Sequence, residues 1–242
     1  MLVVGINIEF SKKAVGIINF SCNQGKEIQD CINKSITTRE GQVIDITTTA
    51  TDKEGDIVAD LFSGSAIISQ GLRLANRRII ANDILSHCNI LAESKLLQNG
   101  EPKFSKIIDK NPQIKKQTTN TVGNLPYDRI LQYLNSLRGV NGFFYKNYSQ
   151  EGSSNLESPR KYFTENNAKK IDAIRTKLID WNQQQLLKPT ERALLLSDLF
   201  RATNKIANVA GTYGCYLKIW YDRALQPLKL QRSQIMKAGI KH

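Results

Sequence analysis

Ile57-Val58-Ala59-Asp60-Leu61-Phe62, followed by Ser63-Gly64-Ser65, decides the reading of the fold. The first six residues are a short apolar run between Gly55 and Gly64, the pattern of a strand buried in a parallel sheet. Ser63-Gly64-Ser65 is a tight turn. From Ala66, Ile67 and Ile68 to Leu72 and Leu74 apolar residues recur at helical spacing. Arg77-Arg78-Ile79-Ile80-Ala81-Asn82-Asp83 then reads as a second strand ending in an acid, and a further helix is expected from about Ile84 to Leu97. Strand, glycine turn, helix, strand and acid make one β-α-β unit. Such a unit implies a right-handed crossover in a mostly parallel sheet.

The turn is also a candidate binding site. Small residues after a buried strand let a ligand touch backbone that a side chain would block. Asp83, about twenty residues further on, can accept two hydrogen bonds from ribose hydroxyls. The Gly-x-Gly-x-x-Gly fingerprint is absent, and Ala66 stands where a second glycine is expected. A pyrophosphate cradle is therefore disfavoured, and an adenosine ligand without phosphates suits the turn better. An ordinary β-α turn has the same letters.

Upstream, residues 1–50 give only short candidate strands, Val3-Val4-Gly5-Ile6 and Val15-Gly16-Ile17-Ile18. Downstream, residues 98–124 turn polar and lysine-rich and are expected to be a loop or a loosely packed insertion. Ile130, Leu131, Leu134 and Leu137 share one side of a helix starting near Tyr127. Residues 139–152 are rich in glycine and tyrosine. Thr164 is placed to N-cap a long helix whose stripe is Ala168, Ile171, Ile174, Leu178 and Trp181. Pro189 opens a second helix, carrying Leu194, Leu199 and Ile206. We expect two regions: residues 1–98, an N-terminal segment with the β-α-β part, and residues 99–242, helical and basic.

The chain has 242 residues and is 40% hydrophobic, enough for one large domain or two small ones. Lys and Arg number 34 against 22 Asp and Glu, a formal charge of +12. That excess favours polyanions, because binding releases counterions condensed on phosphates. No basic amphipathic helix with an aromatic and leucine face is evident, and no apolar run approaches the length of a membrane span, so a membrane is not the expected partner. Cys22, Cys31, Cys88 and Cys215 form no C-x-x-C pair, and the two histidines are His87 and His242, so no metal site is expected. Scattered cysteines and an N-terminus unlike a signal peptide point to the cytoplasm.

Three blocks carry a resemblance. Asp60-Leu61-Phe62-Ser63-Gly64-Ser65 and Ile80-Ala81-Asn82-Asp83-Ile84 resemble the cofactor-binding segments of the Dam-like (D12) class of adenine-N6 DNA methyltransferases. Gly142-Phe143-Phe144-Tyr145-Lys146-Asn147-Tyr148-Ser149 and the stretch from Arg160-Lys161-Tyr162-Phe163 to Arg175 are similar to one restriction-modification branch. Ala207-Asn208-Val209-Ala210-Gly211-Thr212-Tyr213-Gly214-Cys215-Tyr216-Leu217-Lys218 and Arg223-Ala224-Leu225-Gln226-Pro227-Leu228 resemble the same branch. The resemblance covers roughly residues 55–230. It implies an α/β fold, a partial Rossmann-like S-adenosylmethionine-dependent methyltransferase sheet with a largely helical DNA-recognition insert. It implies S-adenosylmethionine held by Asp60, Phe62, Ser63, Gly64, Ser65 and Asp83, and double-stranded DNA as substrate. Lys146, Arg160 and Lys161 are the expected phosphate contacts.

The departures shape the expectation. The family's Asp-Pro-Pro-Tyr-type tetrapeptide, which holds the flipped adenine, does not follow the residue 223–228 block. The family's Gly and Lys near the cofactor are degenerate around Gly25-Lys26. Asn124-Leu125-Pro126-Tyr127 resembles the tetrapeptide as it stands in some other adenine-N6 methyltransferases, making Asn124, Pro126 and Tyr127 the catalytic candidates, but no apolar strand delivers them. The leading expectation is a site-specific DNA adenine-N6 methyltransferase in a truncated or split form, its catalytic half on a second polypeptide. The alternatives are a non-catalytic DNA-binding or specificity remnant, and an RNA adenine methyltransferase using residues 124–127.

Overall fold

The computed structural model describes the backbone of residues 15–17, 35–37, 43–45, 57 and 115, and residues 58–74, 77–114 and 125–235 in full. Its elements are β1 (Val15–Ile17), β2 (Ser35–Thr37), β3 (Val43–Asp45), β4 (Ile57–Asp60), α1 (Ile67–Leu74), β5 (Arg78–Ala81), α2 (Ser86–Leu96), α3 (Ser105–Lys110), α4 (Pro112–Lys115), α5 (Pro126–Ser136), α6 (Phe143–Tyr148), α7 (Glu165–Gln183), α8 (Pro189–Lys205) and α9 (Asp222–Leu225). The fold is mixed and mainly helical, with a small parallel sheet of order β1-β4-β5. β2 and β3 pair antiparallel. Two compact units divide between Leu97 and Gln98.

The first unit contains the β-α-β expected from sequence. β4 and β5 run parallel with Ile57 opposite Arg78 and Asp60 opposite Ala81, joined through α1. The orientation of α1 differs from the expectation set by its apolar spacing. Ser69 and Arg73, one turn apart, face inward, while Ile67 and Leu74 are exposed. Polar bonds decide this. The Ser69 hydroxyl donates to Asp60 Oδ2 at 2.5 Å, and Arg73 Nη1 donates to the Lys95 carbonyl at 2.7 Å. A buried hydroxyl or guanidinium that finds a partner loses most of its desolvation penalty. Ala66, Ala92 and Leu96 form the small apolar centre beneath β5.

The second unit holds the larger core. Trp181, Tyr127, Phe104, Phe163, Ile171, Ile174 and Leu194 are among its fully buried side chains. α7 follows its sequence. The Thr164 side chain accepts from the Asn167 N–H, and Ala168, Ile171, Ile174, Leu178 and Trp181 are all buried. α8 begins with Pro189 at its first turn.

Of the expected loop at residues 98–124, residues 116–124 lie outside the described residues, and residues 98–115 depart from the expectation. Phe104, Ile107 and Ile114 are fully buried, and α3 and α4 lie within this stretch. The lysines mislead because Lys103, Lys106 and Lys110 face outward from the same short segment. Phe104 takes a left-handed backbone (φ 47°), and its N–H donates to the buried Glu191 carboxylate at 2.8 Å. Glu191 also accepts from the Lys188 N–H, so one carboxylate ties this segment to the start of α8.

Residues 206–235 contain one helical turn, α9, so side chains must satisfy their main-chain groups. Asn167 does so by accepting from the Leu228 N–H (2.8 Å) and donating to the Gln226 (2.9 Å) and Ala224 (3.2 Å) carbonyls. Asn135 pairs both ways with Leu230, at 2.8 and 3.0 Å. Further on, the Ser233 hydroxyl donates to buried Asp198 at 2.6 Å, and the Ser233 N–H donates to the Tyr127 hydroxyl at 3.2 Å.

Asn167→Ala removes three bonds and leaves the Ala224 carbonyl and the Leu228 N–H, both in buried residues, without this partner. At about 1 kcal/mol per bond, we expect a loss of about 2–4 kcal/mol in urea unfolding. A loss below about 1 kcal/mol would show that residues 224–228 are not held by this amide.

Candidate functional site

The turn after β4 is built by hydrogen bonds from the end of β5. The Asn82 N–H donates to the Asp60 carbonyl (2.8 Å), continuing the sheet ladder, and the Ser63 N–H donates to the Asn82 carbonyl (3.0 Å). Gly64 sits at φ +50°, a conformation that costs most side chains energy and glycine little. Its N–H donates to Asp83 Oδ2 at 2.9 Å. The other oxygen, Oδ1, accepts from the Leu85 N–H at 2.9 Å. Asn89 braces the same corner, with Nδ2 donating to the Asp83 carbonyl at 3.0 Å and Oδ1 accepting its N–H at 3.2 Å.

Five of the six sequence-chosen residues, Asp60 and residues 62–65, thus lie in one turn, and Asp83 reaches it from the neighbouring strand. Their states differ. The Leu85 and Gly64 N–H groups hold the Asp83 carboxyl below the usual carboxylate range. Burial pushes the Asp60 carboxyl up, against the Ser69 bond. Phe62 is 63% exposed, an apolar ring offered to solvent beside the turn. The Ser63 hydroxyl is buried and has no hydrogen-bond partner among the described residues. A buried hydroxyl left unmatched costs about 1–3 kcal/mol, so its presence in a glycine turn marks a place where a ligand atom could bond. Cys88 lies below the corner, its thiol pushed up by burial and by Asp83. Among the described residues no group of three or more His, Cys, Asp or Glu is arranged to hold a metal ion, and no helix is long and apolar enough to cross a membrane.

In the second unit, Lys146 is exposed on α6. Arg160 Nη1 donates to the Asn147 carbonyl at 3.0 Å, which sets its guanidinium beside the end of that helix. Lys161 Nζ reaches the Lys218 carbonyl at 3.4 Å, and its own carbonyl accepts from Asn208 Nδ2 at 3.0 Å. Around them Phe144, Tyr145, Tyr148 and Tyr162 pack, partly buried, against the core, while Phe143 and Tyr213 are exposed. Phe144 meets Tyr148 and Phe163, and Tyr162 meets Tyr148, Tyr213 and Tyr216, all with ring centroids within 6.4 Å. Burial pushes the Tyr213 hydroxyl up to about 12.

Sequence reasoning missed the buried organisers of this region. Asp172 accepts from the Gly142 (3.1 Å), Phe144 (2.9 Å) and Tyr145 (2.8 Å) N–H groups and so fixes the start of α6 on α7. Asn208 binds Lys161, Leu217 and Tyr221 through its side chain. Both lie in stretches that carry the family resemblance, but their bonding partners are distant in sequence, so no local pattern announces their role.

The catalytic candidates separate. Asn124 lies outside the described residues. Pro126 starts α5 as a first-turn proline. Tyr127 is fully buried, and its hydroxyl bonds Asp198. Arg232 lies over the ring at 4.9 Å, and Phe104 packs at 5.9 Å. In this arrangement the ring is a core residue with no face open to a flipped base.

A family model of the D12 class N6 adenine-specific DNA methyltransferases matches residues 43–242. The chain is similar to the type II methyltransferase M.FokI of Planomicrobium okeanokoites, 33% identical over 182 residues, which cover 75% of this chain and 26% of that protein. It is similar to the modification methylase StsI of Streptococcus sanguinis, 32% identical over 181 residues, covering 75% and 25%. The type II methyltransferase M.NlaIII of Neisseria lactamica is 28% identical over 179 residues, covering 72% and 45%. The chain therefore spans about a quarter of the length of the first two relatives. No solved structure matches it. Matched over most of its length by the family model, the chain belongs to the D12 class N6 adenine-specific DNA methyltransferases.

Proposed function

We propose that this chain supplies the S-adenosylmethionine-binding and DNA-recognition parts of a site-specific DNA adenine-N6 methyltransferase of a restriction-modification system. The observation that carries the reading is the Gly64 N–H on Asp83 Oδ2 at 2.9 Å, beside the unpartnered Ser63 hydroxyl. The group fits the residues present. The Asp83 carboxylate keeps unused lone pairs for the two ribose hydroxyls, Ser63 Oγ is free to bond a polar atom, and Phe62 offers an apolar face. Gly64 adds no side chain beside them, and the Ser65 carbonyl is held by Lys95 Nζ. Asp60 helps from beneath by holding α1 through Ser69. When bound, the cofactor supplies a methyl group already activated by its sulfonium. The chain's part is to orient it and exclude water. On this reading the β1-β4-β5 sheet is part of a Rossmann-like sheet.

The second unit is the proposed recognition region, with Lys146, Arg160 and Lys161 against DNA phosphates. A formal charge of +12 and the family membership both support a polyanion partner. The 242 residues contain no Asp-Pro-Pro-Tyr, and Tyr127 is buried. The proposal therefore places the adenine-holding tetrapeptide outside these 242 residues.

Two measurements test this. Calorimetry should detect S-adenosylmethionine binding that Asp83→Ala and Ser63→Ala each weaken about tenfold, the loss of one good hydrogen bond to a ligand. Ser63→Ala should leave the ligand-free melting temperature unchanged or higher, since it removes an unmatched buried hydroxyl. Unaltered affinity in both variants would refute the assigned site. Binding to duplex DNA should fall steeply with salt, and replacing Lys146, Arg160 and Lys161 together by Ala should flatten that slope by up to about three phosphate contacts. Salt-insensitive binding, or no binding, would refute the recognition role. Methyl transfer by the chain alone would show that the tetrapeptide is dispensable.

A further inference from the structure

The second unit carries a cleft of about 480 Å3 lined by Arg138, Gly139, Asn141, Asn166, Lys169 and Lys170. Three of the six are cations, and the one carboxylate bound to them is Glu165, which pairs with Lys169 at 2.5 Å. Lys169 is further steadied by lying 4.8 Å over the Tyr145 ring. No described residue engages the Arg138 guanidinium or the side-chain amides of Asn141 and Asn166.

Lys170 makes this more than a basic surface. Its ammonium donates to the Asn135 and Leu137 carbonyls, both at 2.5 Å, which fixes it at the wall of the cleft. An ammonium has three N–H donors, so one remains. Burial opposes its charge and pushes its pKa down, and an anion in the cleft would relieve that penalty. Gly139 forms part of the same lining. The chain crosses α7 so closely at Gly139 that a Cβ there would stand 2.8 Å from the Lys169 Cβ, and the Val140 N–H donates to the Lys169 carbonyl at 3.1 Å. Glycine permits this close approach, which seats α7 with Lys169 and Lys170 against the segment carrying Arg138 and Asn141.

We propose that this cleft holds a phosphodiester of the DNA backbone, with Arg138 as its mobile cation, Lys170 as its fixed one, and Asn141 and Asn166 as neutral donors. The proposal rests on the reading that the chain binds duplex DNA, and it adds a contact separate from Lys146, Arg160 and Lys161. A rigid cation with a spare donor next to an unpaired guanidinium suits a phosphate, which accepts several hydrogen bonds at once.

The experiment measures binding of the full chain to a mixed-sequence duplex over a salt series. The variants are Arg138→Ala, Arg138→Glu and, as a control of equal charge change, Lys205→Ala at the exposed end of α8. Arg138→Ala should weaken binding several-fold at low salt and lower the magnitude of the salt slope by about one, the signature of one lost phosphate contact. Arg138→Glu should weaken it further, and Lys205→Ala should leave the slope unchanged. All variants should keep the parent's circular dichroism, because Arg138 and Lys205 are exposed. An unchanged slope in both Arg138 variants, with the parent binding normally, overturns the cleft and leaves the recognition reading standing. An equal change in Lys205→Ala also overturns it, since the effect is then net charge alone. Titration with inorganic phosphate that perturbs Arg138 while duplex binding ignores its substitution overturns the DNA assignment. A parent chain that binds no duplex at any salt removes both readings together.

Discussion

A main-chain amide withdrawn from water must find a partner, and in residues 206–235 helices and strands supply almost none. The second unit depends on how that constraint is met. Asn167, Asn135 and Asn208 each offer a donor and an acceptor on one planar group, so each can bond a chain segment as a neighbouring strand would. They project from or follow α7, α5 and α8, the helices that form the core. The irregular segment is thus held by the same elements whose apolar faces pack Trp181, Ile174 and Leu194. Asp172 applies the same logic with a carboxylate, gathering three N–H groups at the start of α6. Tyr127 and Asp198 close the far end.

The first unit meets the constraint differently. Its strands are short and its apolar centre small, so polar contacts between loops set the geometry. Asp83 is the hub, bonding the turn after β4 and the turn before α2 with separate oxygens. The same carboxylate is the proposed ribose ligand. A group that already organises its own turn is preorganised toward a ligand, because little freedom is left to lose on binding.

Much of this architecture was legible in the residues because the signals were local. The run from Ile57 to Phe62 with its glycine turn, and the acid at Asp83, gave strand, turn and strand in the right places. The Thr164 cap and the stripe from Ala168 to Trp181 defined α7, and Pro189 marked α8. What stayed hidden depends on partners far along the chain. Ser69 and Arg73 turn inward because of Asp60 and Lys95, reversing the face that α1's hydrophobicity suggests. Phe104, Ile107 and Ile114 are buried among lysines that dominate a composition count. The Asn124 to Tyr127 letters resembled a catalytic tetrapeptide, but burial of Tyr127 is a property of the packed core. The turn's candidates were readable from spacing. The unmatched Ser63 hydroxyl was not, because an absent partner leaves no trace in sequence.

Asn208 has a wider consequence. Its side chain takes the Leu217 carbonyl and the Tyr221 N–H, its main chain takes the Leu217 N–H and the Tyr162 carbonyl, and every one of these is a main-chain atom. A grip of this kind is blind to side-chain identity. Residues 209–221 are bounded by it, and within that frame Ile219 is 77% exposed next to Lys218. The loop behaves as a cassette whose outward letters can be exchanged without loosening its mount. Substitution at an outward position such as Ile219 leaves every bond of that grip in place.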